Sequence, residues 1–388
     1  MKEEFFGNLY LFFSYSASDI SKILEINNDK CTKISDYLDK FESQINLEIT
    51  STTSSLIKRK YVDELNFFYL DENESIESNK TETGKLFATF DTITNLVVVT
   101  VAFFETSIPI SHILDRLSQN NIQIFKDDKK MLLSDYLQNM YCLEYHGSAK
   151  ACLTTNNSIN DEIYPYYIAN ETFDSSVMSA TLKDEIYGKK LLENLAQYNS
   201  SDIYSGKNTI IRIDKRDYKK QNKSRIESDI IFLFIIEILM FKETAIERSN
   251  KKIINYLNSK KDIDLKILDK LNREFSQTIP FWDIKVFKYI AAQNLANKIE
   301  SSFGLNERYE NYEKNQNFLQ HKINIKQAIA QEHESKILFT IAIVLFIFEV
   351  YKLGSEFIGK STSLFFSTSL ILIFLIYWVN KNRKLNDG

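Results

Sequence analysis

The stretch that decides the fold is ILFTIAIVLFIFEVYKL, residues 337–353, and a second one, SLFFSTSLILIFLIYWV, follows at residues 363–379. The first contains one carboxylate, Glu349, ahead of Lys352, and the second has no charged residue. An α-helix rises about 1.5 Å per residue, so about 17–20 apolar residues cross the hydrocarbon layer of a membrane. The sequence therefore predicts two membrane-spanning helices joined by a tight turn at residues 354–362. The alternative is a buried helical hairpin in a soluble protein.

The charges that flank the two spans predict their orientation. Basic residues precede the first span and follow the second: Lys336, Lys381, Arg383 and Lys384. The connecting segment carries Glu356 and Lys360. The positive-inside rule therefore predicts that both termini face the cytoplasm, in a two-span protein of the inner or plasma membrane.

Composition excludes several classes of protein. The 388 residues include nine Gly and three Pro, which excludes collagen-like chains, and 13% aromatic residues argue against disorder. Three Cys without a Cys-x-x-Cys pair exclude a disulfide framework and a cysteine zinc site. A net charge of -4 without a basic domain argues against direct binding of nucleic acid. The mean hydropathy of -0.26 indicates that the spans belong to a largely polar chain.

Residues 1–224 are predicted to form a cytoplasmic α/β or α+β sensor domain with a central sheet. Runs rich in β-branched and aromatic residues predict strands at residues 9–15, 45–50, 65–70 and 95–105. Residues 20–44 have apolar positions at helical spacing. The polar residues 71–85 predict an exposed loop, and the polar residues 204–225 predict the junction to the next region.

Residues 225–336 are predicted to form a helical stalk before the transmembrane hairpin of residues 337–388. The stretch IIFLFIIEILMF, residues 230–241, is apolar but too short for a span, and it predicts a buried core helix. From residue 305 a single helix is predicted to run to residue 353. Its first half carries a sparse apolar stripe at Tyr309, Tyr312, Phe318, Ile325 and Ile329. Such a thin stripe needs partner helices, which predicts a homo-oligomer.

The order of these parts resembles the CorA superfamily of divalent cation channels. The family signature, Gly-Met-Asn, ends the first span, whereas this chain has YKLGSE at residues 351–356 and retains only the glycine. Divergent CorA-like proteins without the motif accompany type III CRISPR systems. The resemblance to that group implies a pentameric membrane effector in antiviral defence, gated by a nucleotide second messenger such as an adenylated S-adenosylmethionine. A divalent cation is the other ligand that the resemblance implies.

Glu349 is the candidate pore residue, because an ionisable residue inside a span is expensive and commonly functional. At 100° per residue, one face of the first span carries Leu338, Ala342, Leu345, Glu349 and Glu356. In a symmetric oligomer this face is predicted to line a pore, with a ring of Glu349 carboxylates that favours cations. The alternative is that Glu349 reaches the membrane interface or pairs with Lys352 of a neighbour.

Two segments are candidates for binding an anionic ligand. LEYHGSAKACLTTN, residues 143–156, contains Gly147, Ser148 and Lys150 and is predicted to cradle a phosphate, with an ordinary turn as the alternative. A second group contains Arg212 and Arg216. Its neighbours are Lys207, Lys215, Lys219 and Lys220. A solvated basic surface is the alternative for this group.

The remaining motifs predict no enzyme. The four histidines have no metal-binding spacing, so metal ligands stay unassigned, and the chain lacks a nucleophile elbow and a dinucleotide fingerprint. The expected function is a ligand-gated, CorA-like channel whose partners are copies of itself, the bilayer and a small-molecule or ion ligand. The alternatives are a Mg²⁺-type divalent cation transporter and a membrane-anchored scaffold or binding protein.

Overall fold

The computed structural model describes much of the chain. The described residues are 7–26, 32–50, 56–68, 81–106, 122–126, 129–156, 193–196, 199–216, 225–258, 270–271, 273, 284–357, 359, 364, 368–369 and 371. The chain divides into two compact units, Met1–Gln316 and Asn317–Gly388. The first unit contains a mixed β-sheet and the helices that cover it.

The elements are as follows. The strands are β1 (Gly7–Ala17), β2 (Ile57–Phe68), β3 (Thr81–Asp91), β4 (Leu96–Thr106), β5 (Gln123–Lys126), β6 (Lys129–Leu132), β7 (Leu143–Thr155), β8 (Ser201–Ser205) and β9 (Thr209–Asp214). The helices are α1 (Ser21–Leu24), α2 (Thr32–Glu48), α3 (Leu133–Tyr141), α4 (Arg225–Asn258), α5 (Ile290–Ser302) and α6 (Leu305–Phe357). A 3₁₀ turn at Ile284–Val286 precedes α5.

The predicted central sheet is confirmed. Its order is β6-β5-β2-β3-β4-β1-β7-β9-β8, and β1 lies in its interior between β4 and β7. Every residue of β1 is buried, as expected for an interior strand with both faces covered. The strands pair antiparallel except β7 and β9, which run parallel with Ala151 opposite Thr209.

The sheet separates two apolar cores because successive side chains of a strand point to opposite faces. Leu9, Leu11 and Phe13 of β1 belong to the core that α1 and α3 help to cover. Tyr10 and Phe12 belong to the core on the other face, which contains α4 and parts of α2 and α5. The sheet is therefore covered on both faces.

Helix α4 confirms the prediction of a buried core helix at residues 230–241. It packs on β1, β4 and β7 and is flanked by α2 and α5. Ile230, Phe234 and Phe241 are completely buried. Apolar residues occur on all sides of the helix in this stretch, which is typical of a helix enclosed by protein.

Helix α6 is continuous from Leu305 to Phe357, as predicted for residues 305–353. Among the described residues it is the one helix long and apolar enough to cross a membrane. Its apolar window has a mean hydropathy of 2.1, and none of it is buried within the chain. The predicted second span, residues 363–379, lies outside the described residues apart from Leu364, Thr368, Ser369 and Ile371.

Several local predictions are wrong. Residues 45–48 continue α2 rather than starting a strand, because Phe41, Ile45 and Ile49 are buried at a spacing of four residues. Residues 81–85 begin β3, and residues 209–214 of the polar tract predicted as a junction form β9. Residues 143–155, predicted to form either a phosphate-binding turn or an ordinary turn, form β7. These strands are stabilised by backbone hydrogen bonds to neighbouring strands. Those neighbours lie elsewhere in the sequence, so the composition of the segment itself does not indicate a strand.

Candidate functional site

Helix α4 carries three buried carboxylates on its sheet side: Asp229, Glu237 and Glu243. Each is paired with a cation that a strand supplies. The cations are Arg212 on β9, Arg59 on β2 and Lys150 on β7. A buried charge that lacks its partner costs roughly 3–5 kcal/mol. These three pairs therefore favour the one placement of α4 in which each carboxylate meets its own strand.

The Asp229 carboxylate is surrounded by donors. The Arg212 guanidinium donates to one of its oxygens at 2.9 Å, and the hydroxyls of Thr154 and Tyr10 donate to the other at 2.9 and 3.1 Å. Burial and the Asp229 charge raise the pKa of the Tyr10 hydroxyl well above its usual value, so Tyr10 stays protonated. Arg212 also lies 5.2 Å from the centre of the Phe232 ring.

Beside this carboxylate lies a cleft of about 420 Å³. Strands β8 and β9 form one wall, and helices α4 and α5 form the other. The lining residues are Glu48, Ala196, Ser200, Ser201, Ile203, Arg212, Arg216, Ile231, Phe232, Ile235, Tyr289, Ala291, Ala292 and Leu295. The cleft therefore combines an apolar floor with two guanidinium groups.

The structure brings Arg212 and Arg216, both predicted as ligand residues, to this cleft. Both guanidiniums donate to the buried Asp214 carboxylate, Arg212 at 2.9 Å and Arg216 through Nε at 3.0 Å. Their exposure differs, since the side chain of Arg212 is 8% exposed and that of Arg216 is 32% exposed. Asp214 thus holds one guanidinium inside the cleft wall and one at its rim.

Lys150 lies elsewhere. It is completely enclosed on β7, and its ammonium group contacts Glu243 at 3.3 Å and donates to the Lys207 carbonyl at 2.9 Å. The Phe303 ring lies 4.5 Å from it. Burial lowers the pKa of Lys150, and the Glu243 carboxylate opposes that change. Lys150 does not line the cleft, and its strand offers no loop of the kind predicted to cradle a phosphate.

Sequence reasoning missed an ion cluster that joins β7, α4 and the start of α6. Arg308, near the beginning of α6, contacts the Glu243 carboxylate at 2.9 Å and also pairs with Glu247. Burial and the adjacent Glu243 raise the pKa of Glu247. Glu243 and Glu247 are four residues apart and therefore lie on one face of α4, which the sequence does indicate. No feature of the nearby sequence indicates Arg308 as their partner.

The predicted pore residues lie along the apolar part of α6. Ala342, Leu345, Glu349 and Glu356 are all exposed, and their spacing places them along one side of the helix. Within the described ranges no group of three or more His, Cys, Asp or Glu side chains is arranged to hold a metal ion. The predicted roles of these four residues stay predictions.

Comparisons of the chain with protein-family models, with curated proteins and with solved structures found no match. The resemblance to the CorA superfamily therefore stays a prediction.

Proposed function

We propose that this protein is a homo-oligomeric membrane channel of CorA-like organisation, opened or closed by a ligand of its sheet domain. In this proposal α6 provides the first span, residues 363–379 provide the second, and both termini face the cytoplasm. The observation that carries the proposal is helix α6 itself. It begins at the buried ion cluster and continues without a break into an exposed apolar segment.

The exposed apolar surface of α6 supports membrane insertion. Leu338, Leu345 and Phe348 are 60–67% exposed, and neighbouring side chains in the same window are exposed as well. A contiguous apolar surface of this kind marks contact with lipid or with another protein. Glu349 lies within it, and a carboxylate at that depth is expected to face a water-filled path or a polar partner.

The polar part of α6 supports oligomerisation. Phe318, Ile325 and Ile329 belong to the apolar stripe predicted to face neighbouring helices. They are 47–61% exposed within the single chain. A second copy of the chain offers the same stripe, and closed symmetric assemblies bury such surfaces. The pentamer is the number implied by the CorA resemblance.

The ion cluster supports coupling between ligand and channel. Arg308 of α6 and Lys150 of the sheet contact the same Glu243 carboxylate on α4. A ligand changes the state of a channel only by binding its open and closed states with different affinity. A displacement of α4 relative to the sheet would rearrange these contacts and thereby act on the beginning of α6.

The test is flux through the purified full-length protein in phosphatidylethanolamine–phosphatidylglycerol vesicles. The vesicles contain a K⁺-sensitive or Mg²⁺-sensitive dye, and ATP, AMP or an adenylated S-adenosylmethionine is added as the probe. We expect at least one probe to change cation flux in the wild-type protein. The variant Arg308→Met should insert equally well but respond less to that probe.

Three other outcomes would overturn the proposal. Mg²⁺ flux that no probe changes would identify the transporter alternative. Membrane insertion without flux in any condition would identify the scaffold. A monomer by light scattering in mild detergent, and by cross-linking in the vesicles, would exclude a pore built between copies.

A further inference from the structure

We infer that the cleft lined by Arg212 and Arg216 binds a small aromatic anion, meaning a flat ring that carries a carboxylate or a phosphate ester. The inference deepens the proposed function and rests on it for the consequence of binding, which is gating. Whether the cleft binds such a ligand is a separate question with its own test.

The size of the cleft fits a small organic ligand. Its volume of about 420 Å³ lies within the range of about 300–1,000 Å³ that is usual for ligand sites. A second cavity, between α2 and β2, has about 70 Å³, which is room for only about two water molecules. Of these two cavities, the larger one is suited to an organic molecule.

The apolar half of the cleft fits a ring. Phe232 and Ile235 of α4 and Leu295 of α5 contribute to it, and Phe232 and Ile235 are at most 5% exposed. Tyr289 stands at the start of α5 and is 56% exposed. A large aromatic side chain beside an apolar floor can stack on a flat ligand, which adds to the energy of burial.

The polar half of the cleft fits an anion. Guanidinium groups match the two oxygens of a carboxylate or phosphate, and Ser200 and Ser201 add hydroxyls to the same cleft. Asp214 orients both guanidiniums before a ligand arrives, since its carboxylate accepts from each of them. The Arg212 side chain is 8% exposed and also donates to Asp229, so Arg216, at 32% exposed, is the guanidinium that a ligand in the cleft can contact.

Glu48 on the rim of the cleft adds a further feature. Burial raises the pKa of its carboxyl group, although Lys288 opposes this change. A carboxyl group at this position can accept a hydrogen bond from a ring N–H. A ring N–H that reaches Glu48 would therefore strengthen the binding of a nitrogen heterocycle, such as an indole or a purine, relative to a plain hydrocarbon ring.

The cleft is linked to the ion cluster through α4. Arg212 contacts Asp229 in the first turns of α4, and Glu243 follows about 21 Å further along the same helix. A ligand that contacts Arg216 acts on Asp214, which Arg212 shares, and Arg212 in turn holds Asp229. Asp229 belongs to the same helix as Glu243, the partner of Arg308. This gives the ligand a route to α6 within the first compact unit.

The experiment measures binding by equilibrium dialysis to the full-length protein in mild detergent. The four probes are AMP, indole-3-acetate, adenosine and inorganic phosphate. We expect AMP or indole-3-acetate to bind with a Kd tighter than about 1 mM. The first result would identify a phosphate ester and the second a carboxylate, and adenosine and phosphate alone should bind at least about tenfold more weakly than AMP.

Three variants locate the bound probe. Arg216→Gln and Tyr289→Ala, both at partly exposed positions, should each weaken binding at least about tenfold. The matched control is Lys215→Gln, which removes an adjacent positive charge that pairs with Asp202 and does not line the cleft. Its affinity should match that of the wild type.

The inference is overturned if no probe binds, or if Arg216→Gln and Tyr289→Ala bind as well as Lys215→Gln. Its failure can be told apart from failure of the proposed function. Binding in the cleft without any change in flux would overturn ligand gating and leave the site. Probe-dependent flux that survives both cleft variants would leave the channel and overturn the site.

Discussion

Replacing Arg308 by Met removes the guanidinium that joins α6 to α4 and keeps most of the side chain's length. The Glu243 carboxylate, completely buried, keeps Lys150 as a partner, whereas Glu247 loses the contact with Arg308. Breaking a fully buried ion pair costs about 3–5 kcal/mol, and a hydrogen bond to a charged group contributes about 1.5–3 kcal/mol. Because Arg308 is 29% exposed and Lys150 remains, we expect a loss of about 2 kcal/mol.

The assay is thermal unfolding of the full-length protein in detergent. A loss of this size corresponds to a fall in melting temperature of about 4–8 °C for a large domain. The control is Lys58→Gln, which breaks the exposed pair between Lys58 and Glu42 and should cost no more than about 0.5 kcal/mol. If the Arg308→Met and Lys58→Gln variants have the same melting temperature, Arg308 does not anchor α6.

A double-mutant cycle separates the contact itself from other effects of the substitution. Glu247→Gln should also destabilise the protein, and the double variant with Arg308→Met should cost at least about 0.5 kcal/mol less than the two single losses combined. Strictly additive losses would mean that Arg308 and Glu247 do not interact in the folded protein.

Three further changes test other parts of the molecule. Gly84→Ala should lower the free energy of unfolding, measured in urea, by about 1–3 kcal/mol. The added methyl group would lie 2.7–2.9 Å from two phenylalanine rings and a valine. Unchanged stability would show that this core can make room for a methyl group. Burial lowers the pKa of His146 below 6.5, so the folded state binds fewer protons than the unfolded state and stability is lost as the pH falls below about 6.5. His146→Gln should therefore lower the melting temperature less at about pH 5 than at about pH 7, relative to the wild type, and a constant difference would contradict this assignment. Glu349→Gln should lower cation flux or change its selectivity in the vesicle assay, whereas unchanged conductance and selectivity would place this side chain away from the pore.

Much of the architecture could be predicted because its determinants are local. The apolar run at residues 230–241 and the long helical pattern from residue 305 each contain the periodicity that decides their structure. The consecutive aromatic and leucine residues of β1 likewise indicate a strand. The extension of α2 had a local signal too, since Phe41, Ile45 and Ile49 recur at helical spacing. The β-branched residues among residues 45–50 favoured a strand instead.

The remainder could not be predicted because it depends on pairing between distant segments. Strands β3, β7 and β9 contain many polar residues, which are buried only when neighbouring strands and α4 cover them. The ion pair between Arg59 and Glu237 joins positions 178 residues apart, and no spacing in the sequence marks them as partners. Arg212 and Arg216 were identified as a basic cluster, but the cleft beside them required α5 and the end of α2 to meet the sheet.

The interior position of β1 has a consequence for how the chain is made. During synthesis β1 leaves the ribosome well before its two partners, β4 and β7, which begin at Leu96 and Leu143. At ordinary translation rates this interval lasts on the order of 10 s. Throughout that time a strand destined for complete burial has two unpaired edges, which is the condition that favours aggregation and chaperone capture. We therefore expect chaperones that bind nascent chains to protect β1 during this interval.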